Sequence, residues 1–158
     1  FTGQIFAMGD AGSGYNESEQ VQPFHIPDFS LQNLDGGKFQ FSNLSGKVVI
    51  VNFWATWCPP CREEIPHFIK IYDRYHEQGL EVVGIALDEQ GVRTVKPFVE
   101  KMGIQYPIVL GTEEVIDIFG GILGVPTTFI VDRKGNVVER FIGYVDEATL
   151  ETTVKKYL

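Results

Sequence analysis

Residues 48–61 read Val-Val-Ile-Val-Asn-Phe-Trp-Ala-Thr-Trp-Cys-Pro-Pro-Cys, and this stretch decides the fold. Its first seven residues form a nearly continuous β-branched and aromatic run, which is typical of a strand covered on both faces. We therefore expect residues 48–54 to form the central strand of a sheet. Cys58 and Cys61 follow this strand directly and are the only cysteines in the sequence.

An amphipathic helix is predicted after the cysteines, because apolar residues recur there at steps of three and four. These residues are Ile65, Phe68, Ile69, Tyr72 and Tyr75. Gly79 ends the helix, and residues 81–87 form a second buried strand. The chain thus completes a strand–helix–strand unit with a parallel crossover.

The remaining patterns extend this unit on both sides. Residues 29–41 alternate around an Asp-Gly-Gly turn and predict a β-hairpin, and residues 94–102 predict a further helix. Residues 128–131 and 137–142 predict two strands before a final helix that Asp146 caps. The expected fold is α/β, with a central mixed sheet flanked by helices, an added N-terminal hairpin and a mid-chain helical insertion.

Composition predicts one domain, residues 27–158, behind a leader at residues 1–26. Between Gly9 and Gln22 the leader is rich in Gly, Ser, Asn, Asp and Glu without apolar periodicity, so we expect it to be flexible. Because residue 1 is Phe rather than Met, a signal or anchor segment could have been removed.

Charge and cysteine content exclude several classes of function. The net charge is −8, with 13 Lys and Arg against 21 Asp and Glu, which argues against nucleic acid and anionic lipid as partners. Two cysteines are too few for a disulfide scaffold, and too few for a thiolate zinc site without distant histidines. The two cysteines are therefore expected to act with each other rather than with distant residues.

The position of the pair predicts redox chemistry. Cys58 lies at the first turn of a helix, where free N–H groups and partial positive charge stabilise a thiolate, so we expect it to be the nucleophile. Cys61, one turn further, is expected to resolve the mixed disulfide. Pro59 and Pro60 lack amide hydrogens, so the thiolate is less stabilised and a reducing role is favoured.

A structural disulfide or half of a zinc knuckle would also contain Cys-x-x-Cys. No second Cys-x-x-Cys and no His-x-x-x-His follows in the sequence, and so short a loop gains little stability from cross-linking. These observations favour the redox interpretation.

From about Pro27 onward the chain resembles the thioredoxin-like extracytoplasmic reductases of the ResA/TlpA type, within the AhpC/TSA-Redoxin superfamily. The motifs that carry the resemblance are residues 49–53, 54–66, 124–129 and 132–135. The resemblance implies a thioredoxin-like fold and a thiol-disulfide oxidoreductase that reduces disulfides of extracytoplasmic proteins, with apocytochrome c among the candidate substrates.

The same resemblance implies the partners and the location. The redox-active disulfide Cys58–Cys61 takes the place of a bound cofactor, and no metal is expected. Electrons would come from a membrane or soluble dithiol donor. We expect a monomer in the periplasm or otherwise outside the cytoplasm, with any membrane anchor in a segment absent from this chain.

The resemblance also implies a substrate-binding surface. The Val125–Pro126 bond would be cis and would face the cysteines, leaving the Val125 backbone to pair with an extended substrate segment. A trans proline that opens a strand is the commoner arrangement for an arbitrary X-Pro bond. Trp57, Pro59 and Pro60 complete the expected substrate surface.

An acidic residue near the cysteines is also implied, and by position it falls on Glu89, with Asp88 as the alternative. A carboxylate there would raise the thiol pKa and could relay protons, although a solvated loop charge fits the spacing equally well. Many thioredoxins have a buried acid where this chain has Asn52. Residues 62–64 are interpreted as a solvated helix face.

Three other functions compete with protein-disulfide reduction. A peroxiredoxin-like peroxidase would need a Thr-x-x-Cys context that the chain lacks. A tryparedoxin-like or peroxiredoxin-linked electron donor shares the Trp-Cys-Pro-Pro-Cys string. A copper-carrying assembly module would need Cys-x-x-x-Cys and a later His, yet no His follows His76.

A redox titration checks both the pairing and the direction of the chemistry. In dithiol buffers of graded potential, we expect a reversible two-electron transition of Cys58 and Cys61 at or below about −220 mV, read by alkylation and mass shift. A midpoint near about −120 mV would indicate an oxidant and would contradict the interpretation of the two prolines.

Overall fold

A computed structural model describes residues 6–7 and 18–158. The strands are β1 (Phe6–Ala7), β2 (Glu19–His25), β3 (Ser30–Gln32), β4 (Lys38–Gln40), β5 (Val48–Trp54), β6 (Leu80–Ala86), β7 (Ile108–Leu110), β8 (Gly124–Val125), β9 (Thr127–Val131) and β10 (Asn136–Ile142). The α-helices are α1 (Pro59–Tyr75), α2 (Val92–Met102), α3 (Glu113–Ile118) and α4 (Glu147–Lys155). Two short 3₁₀ segments span Phe41–Leu44 and His76–Gln78.

The main sheet has six strands in the order β2-β10-β9-β5-β6-β7. Strand β5 pairs in parallel with β6 and antiparallel with β9, as expected for a mixed sheet. Every residue of β5, β6 and β9 is buried, which explains why their sequences are almost uninterrupted apolar runs. The predicted central strand therefore has the predicted bounds and position.

The register of this sheet determines where the site lies. Phe53 of β5 is opposite Thr127 of β9 and Ile85 of β6. The segment before β9, the loop after β6 and the start of α1 therefore meet at one end of the sheet. The cysteines, the Val125–Pro126 bond and residues 88–89 are all at that end.

Strand β2 corrects the predicted domain boundary, because residues 19–25 of the supposed leader pair with β10 at the sheet edge. The strand gives no simple alternation, because its register with β10 shifts between Val137 and Glu139: residues 21–23 of β2 lie opposite one residue of β10, and the half-buried residues Val21 and Phe24 are three apart rather than two. Residues 1–5 and 8–17 of the predicted leader lie outside the described residues.

The predicted hairpin is present as the antiparallel pair β3 and β4, and the predicted helical insertion is α2, which begins at Val92 rather than Thr94. Strands β1, β7 and β8 and helix α3 were also not predicted; β7 has three residues and α3 has six, too few for a periodic signal. Among the described residues, no helix is long and apolar enough to cross a bilayer.

Candidate active site at the end of the central strand

Cys58 caps the N-terminus of α1. Its backbone is extended, with φ −94° and ψ 109°, and its Sγ accepts a hydrogen bond from the Cys61 amide at 3.3 Å. The two sulfurs form a disulfide, with the Cα atoms 5.3 Å apart, within the usual range for such bonds. The Cys61 amide in the first turn of the helix therefore points at the sulfur of Cys58, the predicted nucleophile.

The two prolines occupy the first two positions of α1, where proline fits well because those amides have no partner within the helix. Pro59 is exposed and Pro60 is half-buried. Since neither has an amide hydrogen, the Cys61 amide is the first donor of the helix that can reach the Cys58 sulfur. This is the arrangement on which the prediction of a reducing role depends.

The turn between β5 and α1 is tied to the loop after β6. The Asp88 carboxylate accepts hydrogen bonds from the Thr56 amide at 3.1 Å and from the Thr56 hydroxyl at 2.5 Å. The Leu87 amide donates to the Trp54 carbonyl at 2.9 Å. Buried Asp88 is thus committed to holding the turn that presents Cys58, which is a positioning role.

Glu89, the residue predicted to tune the cysteines, is exposed beside Asp88. Its role stays a prediction.

Trp57 is 48% exposed and is therefore available to a partner, whereas Cys58 itself has 0% exposure.

The Val125–Pro126 peptide bond is cis, and both residues are buried. The Thr127 hydroxyl donates to the Gly124 carbonyl at 2.8 Å, and the Gly143 amide donates to the Pro126 carbonyl at 2.9 Å. These bonds fix the segment just before β9 from both sides. The backbone beside the cysteines is therefore well defined.

The prediction that Glu64 belongs to a solvated helix face is wrong. Glu64 has 0% exposure, and its Oε2 accepts a hydrogen bond from the Val145 amide at 2.9 Å. Burial raises the pKa of Glu64 well above its usual value, and the Val145 amide and the Asn52 side chain offset this only in part. A carboxyl group of raised pKa thus lies one helical turn beyond Cys61.

The neighbours of Glu64 connect it to the rest of the site. Asn52 of the central strand donates to the Thr128 hydroxyl at 3.0 Å. Desolvation raises the pKa of buried Tyr106, and the charge of the nearby Glu64 carboxylate raises it further. Val145 is two residues beyond Gly143, so one short loop contacts both the cis-proline segment and the buried acid.

Across residues 6–7 and 18–158, no group of three His, Cys, Asp or Glu side chains could hold a metal ion. The chemistry available to the described site is that of a thiol pair beside a buried carboxyl group.

Comparison with known proteins agrees with this geometry. Residues 24–140 match the AhpC/TSA family. The thiol-disulfide oxidoreductase ResA of Bacillus thuringiensis strain Al Hakam is 37% identical over 130 residues, which cover 82% of this chain and 75% of that protein. ResA of Bacillus subtilis strain 168 is 34% identical over 78% of this chain and 69% of its own length.

A solved structure supports the same assignment. The thioredoxin-family thiol:disulfide interchange protein of Chlorobium tepidum TLS has a TM-score of 0.79 and 39% identity, over 88% of this chain and 99% of that chain. The chain belongs to the AhpC/TSA family. It is a thiol-disulfide oxidoreductase with a thioredoxin-like fold.

The sequence of this oxidoreductase contains a signal for the burial of Glu64. The buried positions of α1 include Cys61, Glu64, Phe68 and Ile71, which follow one another at steps of three, four and three. A helix with that apolar face carries Glu64 inward next to Cys61. The neighbouring Glu63 is exposed on the other face.

Replacing Glu64 tests the burial of this acid. In the folded oxidoreductase the Glu64 pKa is raised above its unfolded value of about 4.3. Between these two pKa values folding takes up a proton, so the free energy of unfolding falls as the pH rises from the unfolded pKa through the folded one. In the oxidised protein we expect Glu64→Gln to raise the Tm by at least about 2 °C at pH 8 and by less at pH 4.5.

Glu63→Gln is the matched control, since Glu63 is exposed one residue away. Thermal unfolding of both variants across pH checks the expectation. A Glu64→Gln curve parallel to that of the unmodified protein at every pH would contradict it.

Proposed function

We propose that this oxidoreductase reduces disulfides of proteins outside the cytoplasm. The observation that carries the proposal is the junction between β5 and α1, where the Cys58 sulfur accepts a hydrogen bond from the Cys61 amide and both helix-opening residues are prolines. One backbone donor stabilises a thiolate less than several donors do, and a weakly stabilised thiolate favours the disulfide form of the enzyme. The reduced enzyme therefore gives up electrons readily.

The reaction proceeds in two exchanges. The Cys58 thiolate attacks one sulfur of the substrate disulfide, the substrate S–S bond breaks, and the departing sulfur leaves as a thiolate that takes a proton. The Cys61 thiolate then attacks the Cys58 sulfur of the mixed disulfide and releases the second substrate thiol. Two electrons pass to the substrate, and the enzyme is left with the Cys58–Cys61 disulfide.

Glu64 is the group we propose to receive the Cys61 proton in the second exchange. It lies on the same buried face of α1, and burial raises its pKa well above the usual value, which makes its carboxylate a stronger base. The Val145 amide holds one of its oxygens in place. The role predicted for exposed Glu89 is a separate one, namely to raise the thiol pKa from the loop after β6.

Substrate recognition is proposed to use the surface around Cys58. The backbone of Val125, before the cis proline, is proposed to pair with an extended segment, as strand edges do in many peptide-binding domains. Exposed Trp57 and Pro59 supply an apolar rim. A substrate disulfide in an extended or unfolded segment fits this surface best.

The ResA relatives and the resemblance noted above support a finer proposal about the substrate. A haem-attachment segment, Cys-x-x-Cys-His, presents a disulfide within an extended stretch when oxidised. We propose apocytochrome c as one such substrate, a dithiol protein as the electron donor, and a location outside the cytoplasm.

Trapping the mixed disulfide tests this function. Reduced Cys61→Ser enzyme is mixed with an oxidised Cys-x-x-Cys-His peptide, and we expect a covalent adduct at Cys58 because the resolving thiol is absent. The unmodified reduced enzyme should instead release reduced peptide and recover its own disulfide. Mass spectrometry without reductant measures both.

Cys58→Ser is the matched control and should form no comparable adduct, because Cys61 lies inside the first turn of α1 and lacks the amide donor that the N-cap residue Cys58 has. Equal adducts at Cys61 would contradict the assignment of the nucleophile. Rapid turnover of hydrogen peroxide with no peptide reduction would favour a peroxidase instead.

A further inference from the structure

Strand β8 lies immediately before the cis proline and is not part of the six-stranded sheet. Among the described residues its strand partner is β1, at the N-terminal end of the chain. The two strands are parallel, with Phe6 opposite Gly124 and Ala7 opposite Val125. The backbone edge proposed to receive a substrate is therefore occupied by the protein's own chain.

The site is also closed to a partner sulfur in this arrangement. Cys58 and Val125 each have 0% exposure, although the adjacent Trp57 is half exposed. Thiol–disulfide exchange requires the attacking and attacked sulfurs to meet, so access governs its rate. Part of the chain must move before a protein disulfide can reach Cys58.

The sequence around β1 suits a strand edge of this kind. Residues 5–8 read Ile-Phe-Ala-Met and form an apolar run in a leader that is otherwise rich in small and polar residues. Beside β8, Leu123 is 80% exposed and Ile142 is 39% exposed, and the two residues line one shallow pocket. An extended apolar peptide binds where apolar side chains are exposed beside the backbone edge of a strand.

We propose that Phe6–Ala7, here called the strap, occupies the substrate-binding edge and regulates access to Cys58. The strap pairs with β8 in the free enzyme and leaves when an extended substrate segment takes the same edge. The inference rests on the proposed reductase function, because it uses the edge at Val125 as the substrate site.

The connection of the strap to the domain makes such competition effective. Eleven residues separate Ala7 from Glu19, where β2 is held against β10. Because the strap and β8 belong to one chain, their pairing is intramolecular and does not depend on the protein concentration. A pairing of two residues still has few hydrogen bonds, so a longer substrate strand can displace it.

The expected change in substrate affinity follows from the fraction of molecules in which the strap does not cover the β8 edge. If the strap covers the edge in about 90% of molecules, the apparent Kd for substrate is about tenfold weaker than that of the open form. Removing the strap should therefore strengthen apparent binding by about tenfold.

Ala7→Pro in the full chain tests the proposal, because proline removes an amide hydrogen from β1 and restricts its backbone. Ala7→Ser at the same position keeps the amide and is the matched control. Three quantities are measured: amide hydrogen exchange at residues 124–125, the alkylation rate of Cys58 in the reduced enzyme, and the KM for an oxidised disulfide peptide.

For Ala7→Pro we expect faster exchange at residues 124–125, about tenfold faster alkylation and about tenfold lower KM, with Ala7→Ser like the unmodified enzyme. Unchanged exchange, alkylation and KM in Ala7→Pro would overturn the proposal. Faster exchange and alkylation in an enzyme that never reduces the peptide would support the strap and refute the reductase function.

A synthetic peptide of residues 3–9 gives an independent measurement that does not depend on the folding of the variant. Added to Ala7→Pro enzyme, this peptide should slow alkylation of Cys58, whereas a scrambled peptide of the same composition should not. Equal effects of the two peptides would overturn the proposal.

Discussion

The hydrogen bond from the Cys61 amide to the Cys58 sulfur is the interaction on which the site depends. It can form only because a fully buried strand ends at Trp54 and the chain turns into a helix five residues later. The strand fixes the position of the turn, and the helix supplies the donor. Asp88 holds the turn from the neighbouring loop, so the nucleophile is positioned by contacts with two strands and one helix.

A second constraint comes from the loop at residues 143–145. Its two amides donate to the Pro126 carbonyl and to the Glu64 carboxylate. The backbone proposed to bind substrate and the acid proposed to receive a proton are therefore held by the same few residues. A displacement of this loop would change both recognition and proton transfer, which provides a physical route for coupling them.

The sequence predicted those parts of the fold that depend on local periodicity. Strand β5, helix α1 and the crossover to β6 follow from runs of apolar residues, and the cysteine pair follows from its place between them. Strand β2 was not predicted because three of its residues lie opposite one residue of β10, which breaks the alternation, and such an irregularity depends on the pairing of two segments distant in the sequence.

The acid near the cysteines is a single residue whose environment was likewise not predicted from the sequence. A carboxylate is usually exposed, so the sequence alone predicts a solvated Glu64. The structure buries Glu64 and leaves Glu89 exposed, because the apolar face of α1 includes position 64. Burial without an opposite charge is costly, and raising the pKa of the group is the physical response.

The lifetime of the mixed disulfide depends on all three proposed roles: Cys58 attacks the substrate, Glu64 receives the Cys61 proton, and Cys61 resolves the mixed disulfide. Reduced enzyme is mixed with a disulfide peptide, quenched with acid at successive times, and the Cys58 adduct is measured by mass. With Glu64→Gln the lifetime at pH 7 should lengthen about 100-fold, the lower range for loss of a general base, while Glu63→Gln should leave it unchanged. Equal lifetimes in all three proteins would contradict the account.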